Sequence, residues 1–262
     1  MLPSVLITGA STGIGAVYAD RFAKRGHNLV LVARNQDRLN AVAQRLRREY
    51  GVTVDVIQAD LTNERDLQQV EARLRDDARV GILVNNAGTA AAGGFLDQSA
   101  SDVTNVININ VLALTRLANA AAPVFAAKRE SAIINIGSVV AFNPQFSAVY
   151  GATKAFVWSL SQALDFELEP KGVYVQAVLP AATRTEIWEH AGKNVDDLPA
   201  VMEVDELVDA ALVGFDRREK ITIPSLPDEE QWTEFEDARQ AMIPNFRQKR
   251  AAARYQAVSN VS

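Results

Sequence analysis

Two residues of this sequence have side chains whose types and spacing suit proton transfer. Tyr150 and Lys154 lie four positions apart in a segment with a helical pattern, so the phenol and the ammonium project from one face of a helix. A free phenol has a pKa near ~10, and acid–base work near neutrality requires lowering it by about 3 units, or roughly 4 kcal/mol. A neighbouring cation favours the phenolate. The spacing therefore predicts that Lys154 lowers the pKa of Tyr150.

Ser138 is a third candidate for the same site. It follows the apolar run Ala132–Ile136, which predicts a buried strand, and ligands collect at the carboxyl edge of a parallel sheet. There its hydroxyl could donate a hydrogen bond to a substrate carbonyl oxygen. Serine after a strand is also a common turn residue, and a Tyr–Lys pair at this spacing also arises by chance. These residues alone therefore leave a structural role open.

A glycine-rich turn lies between the first predicted strand and a helix. The run from Thr8 to Gly15 reads TGASTGIG, and its glycines allow unusual backbone dihedrals and a close approach of backbone N–H groups to a phosphate. The positive end of the following helix dipole favours the same anion. The turn predicts a pyrophosphate site, and a tight turn without a ligand is the simpler alternative.

The end of the second predicted strand indicates which dinucleotide would bind. An acidic residue there would bind the ribose hydroxyls of NAD, whereas an arginine can pair with the 2′-phosphate of NADP. The residues here are Ala33 and Arg34, and a guanidinium has the fork geometry that suits a phosphate. We therefore expect NADP(H) to be preferred, with NAD(H) as the alternative. Arg38 either assists Arg34 or is a solvated charge on a helix face.

These residues need a scaffold that holds them at one edge. Short runs rich in valine and isoleucine alternate with longer segments of helical period, which is typical of βα units around a parallel sheet. Helices are predicted at Ser101–Ala126, Ala148–Leu168 and Val204–Phe215. The fold class is therefore α/β, a single Rossmann-like domain with a doubly wound, parallel, seven-stranded sheet flanked by helices. The predicted strands are Ser4–Ile7, Leu29–Val32, Thr53–Ile57, Ile82–Val84, Ala132–Ile136, Val173–Val178 and Ile221–Ile223.

The composition agrees with one ordinary globular domain. The 262 residues carry 27 Lys and Arg against 32 Asp and Glu, a net charge of −5, and no cysteine. The absence of cysteine excludes disulfides and thiolate chemistry, and no metal site is predicted because His27 and His190 lack ligand spacing. We expect residues 1–227 to form an NAD(P)-binding Rossmann catalytic domain. Residues 228–262 are expected to form a C-terminal helical extension that covers the substrate side, joins an interface or is partly mobile.

Charge and hydropathy favour a small-molecule partner. Mild acidity argues against a nucleic-acid binder, which needs a concentrated basic face. The chain starts without a basic leader, and nowhere does an unbroken apolar run reach the roughly 18 residues of a membrane helix. We therefore expect a cytoplasmic protein without a membrane segment.

Five motifs in a fixed order carry a family resemblance. They are TGASTGIG from Thr8 to Gly15, Asp60 after the third strand, NNAG from Asn85 to Gly88, Asn110 in a helix, and Ser138 with the run from Tyr150 to Lys154. With these motifs the chain resembles a classical short-chain dehydrogenase/reductase over about Ser4 to Ile223. The resemblance implies an enzyme that acts on CH–OH and C=O groups.

The resemblance also implies roles for the matched residues. Tyr150 would be the general acid and base, Ser138 would position the carbonyl group, and Lys154 would bind the nicotinamide ribose. Asn110 would anchor a water that links the lysine to solvent, and Asp60 would contact the adenine. The implied cofactor-binding residues are Gly9, Ser11, Thr12, Gly13, Ile14, Gly15, Arg34, Asp60, Leu61, Asn86, Ala87, Gly88, Tyr150, Lys154, Pro180, Thr183 and Thr185.

Two features depart from the family pattern. The family commonly has Pro-Gly after the sixth strand, whereas here Pro180 is followed by Ala181, which adds a methyl group where the backbone nears the nicotinamide. Ser138 and Tyr150 are 12 positions apart, where about thirteen is usual in the family. We expect a shorter loop and an intact site.

The residues and the resemblance together predict reversible hydride transfer between NADP(H) and a ketone, aldehyde or alcohol. The expected walls of the substrate cleft, residues 90–95 and 139–146 with Ile187 and Trp188, are mainly apolar, which favours an apolar or neutral substrate. A non-enzymatic NADP(H)-sensing protein on the same fold is the alternative. Such a protein would lack the tyrosine or the lysine, and both are present here. The helices Ser101–Ala126 and Ala148–Leu168 resemble those that build family oligomers, so a homodimer or homotetramer is expected.

Overall fold

The computed structural model describes residues 2–128, 130–143, 145 and 147–256. Within these ranges the strands are β1 (Ser4–Thr8), β2 (Leu29–Ala33), β3 (Val54–Gln58), β4 (Val80–Asn85), β5 (Ser131–Ile136), β6 (Val173–Val178) and β7 (Ile221–Thr222). They form one parallel sheet in the order β3-β2-β1-β4-β5-β6-β7. The order reverses between β1 and β4, where doubly wound sheets bind ligands. The predicted α/β, Rossmann-like fold is confirmed.

Helices connect the strands and cover both faces of the sheet. Asn35 and Asn63 cap two of them by accepting hydrogen bonds from backbone N–H groups in the first turn. Gly51, in the left-handed conformation, ends the first of these two helices. The α-helices of the described residues are α1 (Gly13–Lys24), α2 (Gln36–Tyr50), α3 (Glu64–Asp76), α4 (Ala100–Ile107), α5 (Leu114–Lys128), α6 (Ala148–Leu168), α7 (Ile187–His190), α8 (Val204–Asp216) and α9 (Glu229–Met242).

The core lies on both faces of the sheet. On one face, Phe22 and Leu39 pack against β1 and β2, and on the other, Leu117 and Phe125 pack against β4 and β5. Each of these side chains is fully buried, and such burial stabilises a fold by about 1.5–3 kcal/mol per residue. The strands are therefore held rigidly, and their carboxyl ends form a fixed edge for a site.

The helix predicted at Ser101–Ala126 contains an irregularity that the sequence does not indicate. Its central turn, Asn108–Ala113, is a π-helix between α4 and α5. The wider turn places Asn110 in the interior, where it is 1% exposed. π-turns of this kind are rare and are found most often at functional sites.

The stretch Ala100–Lys128, as described, is long and apolar enough to span a membrane by length and composition alone. Half of its apolar window is buried inside the fold, with Leu117 and Phe125 in the core. Such burial is what a central helix of an α/β protein requires.

The chain divides into two compact units after Ser225. The first contains the whole sheet, and the second, from Leu226 onward, contains α9. None of the α9 residues is buried. The last six residues of the predicted extension, 257–262, lie outside the described part of the chain.

Candidate active site

A cleft of about 1130 Å³ lies at the carboxyl ends of β1, β4, β5 and β6. Its wall contains most of the residues that the sequence predicts for catalysis and cofactor binding, so the fold brings these residues together in one cleft. The members of that set in the wall are Gly9, Ser11, Thr12, Gly13, Ile14, Arg34, Leu61, Asn86, Ala87, Gly88, Ser138, Tyr150, Lys154, Pro180, Thr183 and Thr185.

The glycine turn after β1 has a shape that larger residues could not adopt. Gly9 and Gly13 have φ angles of +66° and +53°, in the region that favours glycine. A Cβ atom on Gly9 would lie 2.8 Å from Asn86 Nδ2, and one on Gly15 would overlap the Gly9 carbonyl oxygen. Gly15 is buried below the turn and is not part of the cleft wall, so its contribution is the close packing of α1 against the turn.

Thr8, at the end of β1, connects the glycine turn to the end of β4. Its hydroxyl oxygen accepts hydrogen bonds from the backbone N–H groups of Asn86 and Ala87, both at 3.0 Å. The Asn86 amide donates in return to the Thr8 carbonyl at 2.8 Å. No role for Thr8 was predicted from the sequence. The available signal was a hydroxyl residue at the end of an otherwise apolar strand.

The first turn of α1 provides a favourable place for an anion. Thr12 is the N-cap residue, its side chain makes no capping hydrogen bond, and the turn contains no acidic residue. Gly13 and Ile14, the first two residues of α1, line the cleft, and the backbone N–H groups of a helix's first turn have no partner within the helix. Together with the glycines, this geometry fits the pyrophosphate site that the sequence predicts.

Two arginines lie at the end of β2 and the start of α2, and both line the cleft. Arg34 has an exposed side chain. Arg38 is paired with Glu186, its Nη1 lying 2.8 and 3.1 Å from the two carboxylate oxygens. Glu186 comes from the segment after β6 and was not predicted from the sequence, because a single glutamate in a polar segment has no distinctive pattern.

Asp60 is not in the cleft wall, although its neighbours Ala59 and Leu61 are. Its Oδ1 accepts hydrogen bonds from the Thr62 N–H at 2.9 Å and from the Thr62 hydroxyl at 2.7 Å. The carboxylate thus shapes the turn that leads into α3. Contact between Asp60 and an adenine stays a prediction.

Ser138, Tyr150 and Lys154 converge at the inner end of the cleft. Ser138 follows β5, and its hydroxyl donates to the Pro180 carbonyl at 3.2 Å and accepts from the Val140 N–H at 3.3 Å. Tyr150 and Lys154 lie one turn apart at the start of α6. The Lys154 ammonium donates to the Ile136 carbonyl at 2.8 Å and lies 5.6 Å from the centre of the tyrosine ring.

The protonation of this trio differs from the sequence-based expectation. Burial raises the pKa of Tyr150 to about 12, and the nearby Ser138 hydroxyl lowers it only in part. Burial also lowers the pKa of Lys154 to about 8, because a charged ammonium is poorly solvated there. The expected lowering of the tyrosine pKa by Lys154 is therefore not achieved by the protein groups alone.

Asn110 lies behind the trio and outside the cleft wall. Its amide donates to the Thr89 carbonyl at 2.9 Å and to the Thr153 hydroxyl at 3.0 Å, and its Oδ1 accepts from the Thr89 N–H at 2.9 Å. The side chain thereby holds the loop after β4 against α6. A Cβ on Gly88 would lie 3.3 Å from Asn110 Oδ1 and 3.5 Å from Lys154 Nζ. The predicted water-anchoring role of Asn110 stays a prediction.

The segment after β6 keeps its predicted place despite the alanine at position 181. Pro180, Ala181, Thr183 and Thr185 all line the cleft. Thr183 is buried, and its carbonyl accepts a hydrogen bond from the Trp188 indole at 2.8 Å. The extra methyl of Ala181 is thus part of the wall.

The substrate side of the cleft is lined largely by small or apolar residues. Phe95 was expected in this wall but is 64% exposed and does not line it. Of the expected stretch 139–146, positions 144 and 146 lie outside the described residues. The small and apolar residues that do line this side are Ala90, Ala91, Gly93, Gly94, Val139, Val140, Ala181, Ala182, Ile187, Trp188, Ala191 and Gly192, with Asn105, Asn143, His190 and Lys193 as polar neighbours.

Known proteins share this fold and much of this sequence. A family model described as short chain dehydrogenase matches residues 3–196. A short-chain dehydrogenase from Sphingobium yanoikuyae, solved in complex with NADPH, is 62% identical, with a TM-score of 0.96 over 97% of this chain and all of that chain. The bulky-bulky ketone specific alcohol dehydrogenase from Comamonas testosteroni is 55% identical, with a TM-score of 0.91 over 98% of this chain and 99% of that one.

Curated relatives are more distant and longer. The very-long-chain 3-oxoacyl-CoA reductase of Bos taurus is 35% identical over 187 residues, which are 70% of this chain and 60% of that protein. The chain spans little more than half the length of several curated relatives that it matches. The strand order and the family model place the chain in the α/β class of Rossmann-like folds. The chain belongs to the short-chain dehydrogenase family, as the order of its motifs predicts.

Proposed function

We propose that this protein interconverts a ketone or aldehyde and an alcohol by hydride transfer with NADP(H). One observation carries the proposal: Ser138, Tyr150 and Lys154 meet in the same cleft as the glycine turn and the acid-free start of α1. An anion site and a proton donor in one cleft are what such a reaction requires.

The residues present fit NADP(H). Gly9 and Gly13 hold the turn in the positive-φ region that glycine allows, the first turn of α1 is free of acidic residues, and Arg34 offers a cation at the end of β2. The Sphingobium yanoikuyae structure at 62% identity contains NADPH. When bound, NADP(H) supplies or accepts the hydride, and its oxidised ring carries a positive charge. NAD(H) is the alternative cofactor.

The chain's own groups handle the proton. In the direction of reduction, Tyr150 donates its phenolic proton to the substrate oxygen, and in oxidation it accepts that proton. Ser138 positions the substrate oxygen: its hydroxyl donates a 3.2 Å hydrogen bond to the Pro180 carbonyl and can donate instead to the substrate oxygen as negative charge develops there. Lys154, with a pKa of about 8, can return a proton to this site near neutral pH.

We propose a bulky, neutral ketone as the substrate class. Alanines and glycines line the substrate side on both the loop after β4 and the segment after β6, which leaves room for large groups on both sides of a carbonyl. The Comamonas testosteroni enzyme at 55% identity is described as specific for bulky-bulky ketones.

The test is a spectrophotometric assay of NADPH oxidation with diaryl and small aliphatic ketones. Tyr150→Phe should lower kcat by about a thousandfold and retain NADPH binding, while Tyr50→Phe, which removes a hydroxyl from α2 outside the cleft wall, should keep wild-type activity. Full activity of Tyr150→Phe would refute the assigned acid. Tight NADPH binding without turnover of any carbonyl compound would favour the non-enzymatic alternative.

We also propose that the protein forms a homodimer or homotetramer in the cytoplasm. Ile107, Leu112 and Phe156 are 42%, 46% and 38% exposed on the helical stretch 100–128 and on α6, and apolar exposure of this kind favours association. Sedimentation equilibrium would measure the mass in solution, and a monomer mass at micromolar concentration would refute this assembly.

A further inference from the structure

An ion pair crosses the cleft between two distant parts of the chain. Arg38, at the start of α2, and Glu186, after β6, are separated by 148 positions, and Arg38 Nη1 lies 2.8 Å from Glu186 Oε1. Glu186 Oε2 also accepts a hydrogen bond from the Thr12 hydroxyl at 3.4 Å. All three residues line the cleft.

Glu186 is unlike its surroundings in charge. Among the described residues that line the cleft it is the single carboxylate, whereas Arg34, Arg38, Lys154 and Lys193 are cationic. Its partners, a guanidinium and a hydroxyl at the N-cap of α1, are groups that also suit a phosphate. The carboxylate therefore engages donors that an anionic cofactor would use.

We propose that Glu186 sets cofactor preference by competing with the 2′-phosphate of NADP(H) for Arg38. This inference rests on the proposed function. Arg38 exchanges the carboxylate for a phosphate, whose two negative charges and three oxygens suit a guanidinium better. NADH has no 2′-phosphate, so its binding leaves Arg38 with Glu186.

The exposure of the pair makes this exchange feasible. The Arg38 and Glu186 side chains are 53% and 46% exposed, and ion pairs in such positions change an equilibrium constant by no more than about fivefold. A phosphate can therefore displace Glu186 from Arg38, and the competing carboxylate still lowers the affinity for NADP(H) by a measurable factor.

The test is a titration of intrinsic fluorescence with NADPH and with NADH, which reads binding without turnover. It uses wild type, Glu186→Gln, Arg38→Gln and the double variant. Glu186→Gln should tighten NADPH binding about fivefold and change NADH binding by less than about twofold. In the Arg38→Gln background, Glu186→Gln should no longer affect NADPH binding, because the two residues act as a pair.

A matched control separates the pair from total charge. Asp216→Asn removes one negative charge from another exposed pair, Arg25–Asp216 at 2.8 Å, and should leave both affinities unchanged. Three results of Glu186→Gln would each overturn this inference and leave the proposed function standing. They are an equal gain in affinity for NADPH and NADH, a gain in NADPH affinity that persists in the Arg38→Gln background, and weaker binding of NADPH. Wild type that binds neither cofactor would overturn the proposed function as well.

Discussion

The two sides of the cleft are built in different ways. On the cofactor side, backbone groups of the glycine turn and the end of β4 are tied together by buried Thr8 and by Asn86. On the substrate side, the segment after β6 is held in part by exposed ion pairs, from Arg184 to Asp196 at 2.6 Å and to Glu203 at 2.9 Å. The difference indicates that the shape of the first side depends on backbone geometry and that of the second on individual side chains.

The largest expected effect tests the cofactor side of the cleft. Gly15→Ala would bring a methyl group onto the Gly9 carbonyl and within 2.6 Å of Asn86 Nδ2, so we expect the free energy of unfolding to fall by about 3 kcal/mol. Urea unfolding and NADPH titration would measure the loss. Gly151→Ala is the control, since this helical glycine has only an ordinary contact at 3.5 Å. Equal stability of the two variants would contradict the backbone account.

The second prediction tests one side chain on the cofactor side, Arg34, through the preference for NADPH over NADH. Arg34→Asp replaces a cation at the end of β2 with a carboxylate, so charge-assisted hydrogen bonds to a 2′-phosphate are lost. The ratio of NADPH to NADH affinity should fall about fiftyfold. Arg48→Asp, on an exposed part of α2 outside the cleft wall, is the control. An unchanged ratio of NADPH to NADH affinity in Arg34→Asp would show that Arg34 does not bind the 2′-phosphate.

The buried lysine predicts how stability changes with pH. Burial lowers the pKa of Lys154 to about 8 in the folded chain, against 10.5 ordinarily. Between these values the unfolded chain binds more protons, so stability should rise with pH, by about 1.5 kcal/mol from pH 8 to 9.5. The measurement is urea unfolding of wild type and Lys154→Met at both pH values. If the difference in free energy of unfolding between wild type and Lys154→Met is the same at both pH values, the Lys154 ammonium is solvated in the folded protein.

The smallest expected effect tests the substrate side. Ala91→Phe adds a ring to a half-buried position in the cleft wall and should raise KM for a bulky ketone about fivefold, a cost of about 1 kcal/mol. NADPH affinity should not change. Leu96→Phe, in the same loop but 97% exposed, serves as the control. A loss of NADPH affinity in Ala91→Phe would mean that the two sides are not independent.

Much of the fold follows from local sequence patterns. Four strands, β1, β2, β4 and β5, are buried along their whole length, so their apolar runs stand out from the helical stripes. Each predicted strand is present. The glycine turn is equally visible, because its positive φ angles and close contacts restrict the residue type. Ser138, Tyr150 and Lys154 meet as expected because they follow such elements directly.

Other features depend on tertiary contacts that no local pattern encodes. The pairing of Arg38 with Glu186 joins positions 148 apart, and the Tyr150 pKa depends on burial at the bottom of a folded cleft. Asp60 resembles a ligand in sequence, yet its oxygen is used within its own turn by Thr62. The contacts of such side chains are set by the tertiary structure and cannot be predicted from the neighbouring sequence.

The π-turn at Asn108–Ala113 makes this site sensitive to chain length. A π-turn contains one residue more than the α-turn that would replace it, so deletion of one residue there would restore a regular helix. Residues on the two sides of the deletion would keep their faces, because the wider turn accommodates the additional residue, and the turn that places Asn110 in the interior would be lost. The Asn110 amide would lose Thr89 and Thr153 together. A one-residue deletion that preserves the helix would thus disconnect the loop after β4 from α6, although every residue of the trio would still be present.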